Sequence, residues 1–200
     1  MRRVVVLALL ALALPIAAWA DGIDLVNQFG SISISNAGIS SVQSQLTQFN
    51  GIVAPKGHSL GSVSFTTGAL TSGSIAAGGT FSSTGSTFVV VGKGNFGEPK
   101  GTIFSGSFVG PIDWTLTSKV GGTLTYTLSG TISGMLYDGR MVTGTTTQTI
   151  YSTNGQIAAG IGHIRVGNTN LPVPEPGTLG LLGTGLVGIA GMFRRKLIGR

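Results

Sequence analysis

The chain is dominated by a two-residue alternation of apolar side chains with serine, threonine or glycine, which begins near Gly61. In the clearest case Leu124, Tyr126 and Leu128 alternate with threonines and serines. Successive side chains of a β-strand point to opposite faces, so this period is typical of strands that bury one face. Other runs of this character cover residues 63–65, 88–91, 103–109, 112–116 and 145–151.

Glycine-rich breaks separate these runs, at residues 78–79, 92–97, 121–122, 138–139 and 154–155. Asp138-Gly139 and Asn154-Gly155 predict hairpins, because Asp or Asn followed by Gly tolerates the positive φ of type I′ turns. Many short strands with frequent turns predict an all-β fold, namely an antiparallel β-sandwich or a barrel-like domain.

The first part of this domain, residues 21–56, is less regular. Its segment 42–49 fits either an amphipathic helical turn or another strand. At the other end, residues 168–172 combine polar residues with proline, and they are predicted to be a linker rather than part of the domain.

The formal net charge of +6 would suggest an acidic partner, but most of the excess lies at the two ends of the chain. Residues 21–172 contain six basic and five acidic residues, and the basic ones lie far apart in sequence. Nucleic-acid binding needs Lys and Arg clustered on one face, so we exclude it. The chain has no cysteine, which excludes disulfides and thiolate metal ligands.

The N-terminus has the three parts of a secretory signal peptide. Arg2 and Arg3 precede an apolar stretch over residues 4–14, and Ala18 and Ala20 form an A-x-A site. We therefore expect signal peptidase to remove residues 1–20. An uncleaved membrane anchor is the alternative, but the apolar run is short for a membrane span.

The C-terminus contains an uncharged apolar segment followed by a basic cluster. Residues 177–193 number seventeen, and as a helix they would extend about 26 Å, near the lower limit for crossing a bilayer. Arg194, Arg195 and Lys196 in the basic tail 194–200 would keep the C-terminus in the cytoplasm. The sequence thus predicts a C-terminal transmembrane helix with the bulk of the chain outside.

Directly before this segment lies Val173-Pro174-Glu175-Pro176. The two prolines hold Glu175 away from helical geometry, in an extended and accessible segment. Together with the glycine-rich span and the basic tail, this segment, which lies within residues 171–200, resembles the PEP-CTERM sorting signal of Gram-negative bacteria. An ordinary single-span anchor with a proline-rich stem is the alternative.

The resemblance implies that an exosortase acts at Pro174, Glu175 and Pro176 while the protein is held transiently in the inner membrane. It also implies a final location at the cell surface or in the extracellular matrix. The expected organisation is a signal peptide over 1–20, an exported β-rich domain over 21–170 and a sorting signal over 171–200.

Within the exported domain no residue pattern predicts a cofactor or a metal. Residues 92–97 and 183–188 match GxGxxG, but Glu98-Pro99 follows the first where a dinucleotide site needs a helix, and the second lies in the predicted membrane segment. The only histidines are His58 and His163, and a triad of His163 with Asp113 and a serine lacks the G-x-S-x-G motif. Two histidines without thiols or clustered carboxylates do not make a zinc or calcium site.

Two further sets of residues bear on glycan chemistry. Glu98 and Asp113 could form a glycosidase pair, although nothing in the sequence brings them together. Trp114 and Tyr137 are candidate glycan contacts. Trp114 alternates in register with Ile112 and Leu116, which favours burial, whereas Tyr137 adjoins the predicted turn and is expected to be exposed.

These observations predict a non-enzymatic structural or adhesive component of an extracellular polysaccharide matrix. The alternative is a carbohydrate-binding module or a glycan-active enzyme at the cell surface.

Overall fold

The computed structural model describes residues 21–152 and 160–173, and these residues form an all-β domain. The predicted signal peptide, the Asn154-Gly155 turn, the Pro-Glu-Pro motif and the predicted membrane helix lie outside the described residues. The strands are β1 (Asp21–Gln28), β2 (Ser31–Ser35), β3 (Gly38–Phe49), β4 (Ile52–Val53), β5 (Gly61–Thr66), β6 (Leu70–Ser74), β7 (Gly78–Phe81), β8 (Thr87–Gly92), β9 (Gly101–Val120), β10 (Thr123–Leu136), β11 (Met141–Ser152) and β12 (Gly160–Val173).

Eight strand positions close into an antiparallel barrel, which confirms the predicted fold class. Around the barrel the order is β9, β10, β11, β12, β1 with β2, β3, β5, β8 and again β9. β1 and β2 share one position, because each pairs with both β3 and β12. The β6–β7 hairpin lies beside the second half of β9, and β4 pairs with the end of β3.

The two-residue alternation divides inside from outside. Along β10, Leu124, Tyr126 and Leu128 are buried, whereas the intervening threonines face outward. Inside the barrel, the ring of Phe88 has three aromatic neighbours at centroid separations of 5.9 to 6.2 Å. We call this group the aromatic cluster, and its members are Phe65, Phe88, Phe104 and Phe108.

Elsewhere in the interior lies a buried group of polar side chains, which we call the polar seam: Asn27, Ser44, Thr146, Gln148 and Thr169. Asn27 Nδ2 donates to Gln148 Oε1 over 3.0 Å, and Gln148 Nε2 donates back to Asn27 Oδ1 over 3.2 Å. The other members complete these bonds, since Asn27 also donates to Ser44 and Gln148 to Thr146. The seam is thus hydrogen-bonded within itself, as buried polar groups require.

The ambiguous segment 42–49 is strand, as part of β3. Its irregular pattern has a local cause, because the pairing of β3 with β5 shifts between Ser41 and Ser44. Val42 and Gln43 are both exposed there, and Gln43 has a left-handed φ of 58°. A bulge of this kind breaks the two-residue period that would otherwise identify a strand.

The prediction that residues 168–172 form a linker is wrong, because they belong to β12. Asn168 pairs with Thr147 and Asn170 with Thr145 of β11. Thr169 and Leu171 are buried, whereas Asn168, Asn170 and Pro172 are exposed, so the segment alternates like the other strands. Because its outward-facing residues are polar or proline, this segment resembles a linker in the sequence. Similarly, the break predicted at 78–79 is the start of β7.

The predicted hairpin at Asp138-Gly139 is confirmed, but its turn is not type I′. Leu136 N–H donates to Arg140 O, which leaves a three-residue loop, and Gly139 alone in that loop has a left-handed φ, of 83°. This is the pattern of a type I turn followed by a glycine bulge. Hydrogen bonds from the Arg140 side chain and backbone lower the pKa of the Asp138 carboxyl.

Candidate functional site

Trp114 is a core residue, as its register with Ile112 and Leu116 favours. It is 1% exposed and stacks on Tyr126 at a centroid separation of 4.5 Å. The Trp114 indole N–H donates to Ile75 O over 2.8 Å, and the Tyr126 hydroxyl donates to Ala76 O over 2.8 Å. The loop of the β6–β7 hairpin therefore covers this ring pair, and Trp114 is not available to a glycan at the surface.

Tyr137 lies at the surface, where the sequence places it. It is the first residue of the β10–β11 loop and is 55% exposed. Met135 and Met141, a directly opposed pair on the flanking strands, are also exposed. Tyr137 is accessible to a ligand, and its role as a glycan contact stays a prediction.

Glu98 is a structural residue of the loop between β8 and β9. The side chain is 4% exposed, and its two oxygens accept hydrogen bonds from the backbone N–H groups of Asn95 and Phe96 at 3.0 and 2.9 Å. Burial alone would raise the pKa of this carboxyl, but the backbone N–H groups outweigh burial and the pKa lies below its ordinary value. The GxGxxG at 92–97 is thus a loop around Glu98, and a strand follows it rather than a helix.

The structure does not bring Glu98 and Asp113 together. Asp113 faces outward from β9, twelve residues beyond Gly101 where that strand begins. At about 3.3 Å per residue this is several times the separation that glycosidase carboxylates need. His163 lies on β12, three barrel positions from β9, so it forms no triad with Asp113. In the described part of the chain, no group of three His, Cys, Asp or Glu residues could hold a metal ion.

The sequence did not reveal a polar cleft on the outer face of β11, β12, β1 and β3. We call it the outer cleft; its volume is about 350 Å³, and its polar lining is Asp24, Gln48, Thr145, Thr147, Asn168 and Asn170. Antiparallel pairing sets Asn170 opposite Thr145 and Asn168 opposite Thr147. Asn170 Nδ2 donates to Asp24 Oδ1 over 2.6 Å, which joins β12 to β1 at the surface.

Aromatic side chains lie on the outside of the same strands. Tyr151 of β11 and His163 of β12 are directly opposed, and their ring centroids are 5.6 Å apart. Phe29, between β1 and β2, is 59% exposed and has a left-handed φ of 60°. This face therefore combines hydrogen-bonding groups with exposed rings. No signal in the sequence could reveal the combination, because it depends on the pairing of β12 with β11 and β1.

The described residues define a β-barrel domain with a polar outer cleft, and among them no helix is long and apolar enough to span a membrane. Residues 172–196 match the family model of the PEP-CTERM protein-sorting motif. The chain therefore carries a PEP-CTERM sorting signal, which confirms the resemblance and makes it an exported protein subject to exosortase-type sorting. No curated protein and no solved structure matches the chain.

Proposed function

We propose that the barrel is a non-enzymatic structural or adhesive component of an extracellular polysaccharide matrix. The observation that carries the proposal is the PEP-CTERM motif at residues 172–196, which is the sorting signal of an exported protein. Signal peptidase and an exosortase are its processing enzymes, the inner membrane is a transient location, and the cell surface or the matrix is the final one.

The outer surface of the barrel suits contact with neutral, hydroxylated polymers. Across β10 and β11, Thr127 faces Thr149, Ser129 faces Thr147, and Thr131 faces Thr145. These side chains can each donate and accept hydrogen bonds and carry no charge. The absence of cysteine also makes the fold independent of the redox state outside the cell.

The separation of Glu98 and Asp113 supports a non-enzymatic role over a glycan-active enzyme. Glu98 is buried in the loop between β8 and β9 and accepts hydrogen bonds from backbone N–H groups, whereas Asp113 is exposed on β9. A glycosidase needs both carboxylates across one sugar bond. We therefore expect no hydrolysis of matrix polysaccharide by the purified protein.

The sorting step can be tested in the producing cells with the triple substitution Pro174→Ala, Glu175→Ala and Pro176→Ala. Pro172→Ala is the matched control, because it changes an exposed proline two residues before the Pro-Glu-Pro tripeptide. We expect the wild type and the control to reach the matrix as one trimmed species by intact mass. The triple variant should stay in the membrane fraction with a larger mass. Recovery of the triple variant from the matrix at the wild-type mass would contradict the sorting step.

The matrix role is tested separately by deleting the gene for this chain. Cells without the protein should form a matrix that disperses at lower shear, and the wild-type chain should restore cohesion. Unchanged cohesion in the deletion strain would contradict a structural or adhesive role.

A further inference from the structure

We propose that the outer cleft binds a neutral glycan segment whose chain continues along β11 and β12 onto Tyr151 and His163. The inference rests on the matrix function proposed above and deepens it, because it assigns the contact to one face of the barrel. Three features support the inference: the hydrogen-bonding groups of the cleft, the shape and charge of the cleft, and the rings of Tyr151 and His163 farther along the same strands.

The polar groups of the outer cleft match the hydroxyl groups of a sugar. The amide of Asn168 offers two donors and an acceptor, the amide of Asn170 offers one further donor and an acceptor beside its bond to Asp24, and the threonine hydroxyls can donate or accept. Asp24 offers only acceptors, and the Asn170 amide holds its carboxylate in place over 2.6 Å. Because vicinal sugar hydroxyls donate and accept in alternation, a mixed array of this kind can satisfy several of them at once.

The shape and charge of the cleft favour a small neutral ligand over a charged one. A volume of about 350 Å³ lies within the range of small-ligand sites. The polar lining comes from paired strands, which hold side chains more rigidly than loops do. The one formal charge of its lining is the carboxylate of Asp24, and Arg165, exposed on β12 between Asn168 and His163, carries the opposite charge on the path to the rings. These two charges balance, so this face has no excess of positive charge that would attract an acidic polymer.

The rings of Tyr151 and His163 extend this face beyond the cleft. Thr147 and Tyr151 both lie on the outer side of β11, four residues apart, which is roughly 13 Å along a strand. The rings of Tyr151 and His163 are tilted at 38° to each other, and His163 is exposed. Each ring has an apolar face and a polar edge, the combination that can pack against the C–H face of a sugar while the edge bonds to a hydroxyl. A glycan that fills the cleft would therefore meet the rings after a few sugar units.

The experiment uses the mature protein purified from the matrix. The probe is matrix polysaccharide from cells that lack the protein, separated into neutral and acidic fractions by anion exchange, and binding is measured by affinity electrophoresis. The variants are Asn168→Ala with Asn170→Ala, Asp24→Ala, and Tyr151→Ala. The controls are Thr87→Ala on β8 and Asp113→Ala on β9, at barrel positions opposite β12 and β1. The thermal midpoint of every protein is measured alongside.

We expect the wild type and both controls to bind the neutral fraction with equal affinity. The double asparagine variant should lose at least about tenfold in affinity, since two or more hydrogen bonds are removed. Asp24→Ala and Tyr151→Ala should each lose several-fold. Thermal midpoints should change little, because these side chains lie on the outside of the barrel.

The outcomes separate the inference from the function on which it rests. If the wild type binds the neutral fraction and the cleft variants bind it equally well, the cleft assignment is overturned and the matrix function stands. Binding of the wild type to the acidic fraction alone would also overturn it. If neither fraction binds the wild type, the inference fails even where gene deletion weakens the matrix.

Discussion

The barrel interior has two regions of different chemistry. The side chains of the aromatic cluster contact one another through their rings, whereas the side chains of the polar seam are joined by hydrogen bonds among amides and hydroxyls. Burial of a phenylalanine contributes about 1.5–3 kcal/mol from transfer alone, but a hydrogen bond contributes only about 0.5–1.5 kcal/mol net. We infer that the aromatic cluster contributes more to the driving force for folding than the seam does, and that the seam specifies which strands pair in which register.

Geometry explains how the seam specifies register. Asn27 on β1 and Gln148 on β11 are separated by β12, and their amides meet over Gly167 of that strand. A Cβ atom at position 167 would collide with both amides. A one-residue slip of β12 would put Val166 or Asn168 in the place of Gly167, where its side chain would collide with both amides, and it would turn Thr169 outward, so the amides fit together only in the correct register.

The largest effect is expected from breaking the aromatic cluster. Phe88→Ala should lower the free energy of unfolding by about 3–5 kcal/mol, because it leaves a cavity among three rings. Phe29→Ala is the control, since Phe29 is exposed, and it should change stability by about 0.5 kcal/mol or less. Urea denaturation of the mature protein measures both. A loss at Phe88 no larger than at Phe29 would remove the energetic difference between the two regions.

The polar seam should show a smaller but strongly non-additive effect. Asn27→Leu and Gln148→Leu should each cost about 1–3 kcal/mol, because each leaves the other amide buried without its partner. In the double variant both amides are gone, so its loss should be clearly less than the sum of the two. Additive losses in this double-mutant cycle would mean that the two amides do not act as a unit.

The hydrogen bond of Tyr126, which lies among apolar side chains, should contribute less to the free energy of unfolding than a hydrogen bond in the seam. Tyr126→Phe removes the bond to Ala76 O, and we expect a loss of about 1 kcal/mol. The penalty is small because Ala76 is exposed, so its carbonyl can bond to water instead. Thermal or urea unfolding of Tyr126→Phe beside Asn27→Leu tests the ranking. An equal loss at the two positions would show that burial of the partner does not decide the cost.

The last contrast concerns pH. The polar seam contains no titratable group, so the cost of Asn27→Leu should be the same at pH 4 and pH 7. Glu98, in the loop between β8 and β9, has a pKa below its ordinary value of 4.5 in the folded protein. Its contribution is therefore present above the unfolded pKa and is lost as pH falls through the folded pKa.

We thus expect the urea midpoint of the wild type to decrease as the pH is lowered below about 4.5. The Glu98→Gln variant should show a weaker dependence of this midpoint on pH. Asp113→Asn is the control, because Asp113 is exposed on the outside of the barrel. Equal slopes against pH in the wild type and Glu98→Gln would contradict the role assigned to the loop carboxylate.

Where one face is apolar, the sequence predicts both the strand and its buried face; where both faces are polar, as in β11, it predicts the strand but not which side chains are buried. Leu124 to Leu128 mark β10 without ambiguity, and the register of Trp114 correctly favours the core. In β11, by contrast, Thr145, Thr146 and Thr147 look alike in sequence, although Thr146 alone of the three faces inward. Which threonine is buried depends on partners in distant strands.

The candidate site was predictable in part. The sorting signal is a contiguous motif, so its residues identify it directly. The outer cleft is assembled from β1, β3, β11 and β12, and 97 positions of the chain separate Gln48 on β3 from Thr145 on β11. No local pattern can report such a site, and the bulge at Gln43 hides even one of its strands.

Strand β12 ends at Val173, and the proline of the sorting motif is the next residue. No residue of the chain therefore lies between the end of β12 and Pro174. A protease that removed residues before Pro174 would shorten β12, the strand that pairs with both β11 and β1. We therefore expect the mature chain to retain the whole of β12, because loss of its end would leave parts of β11 and β1 without a pairing partner.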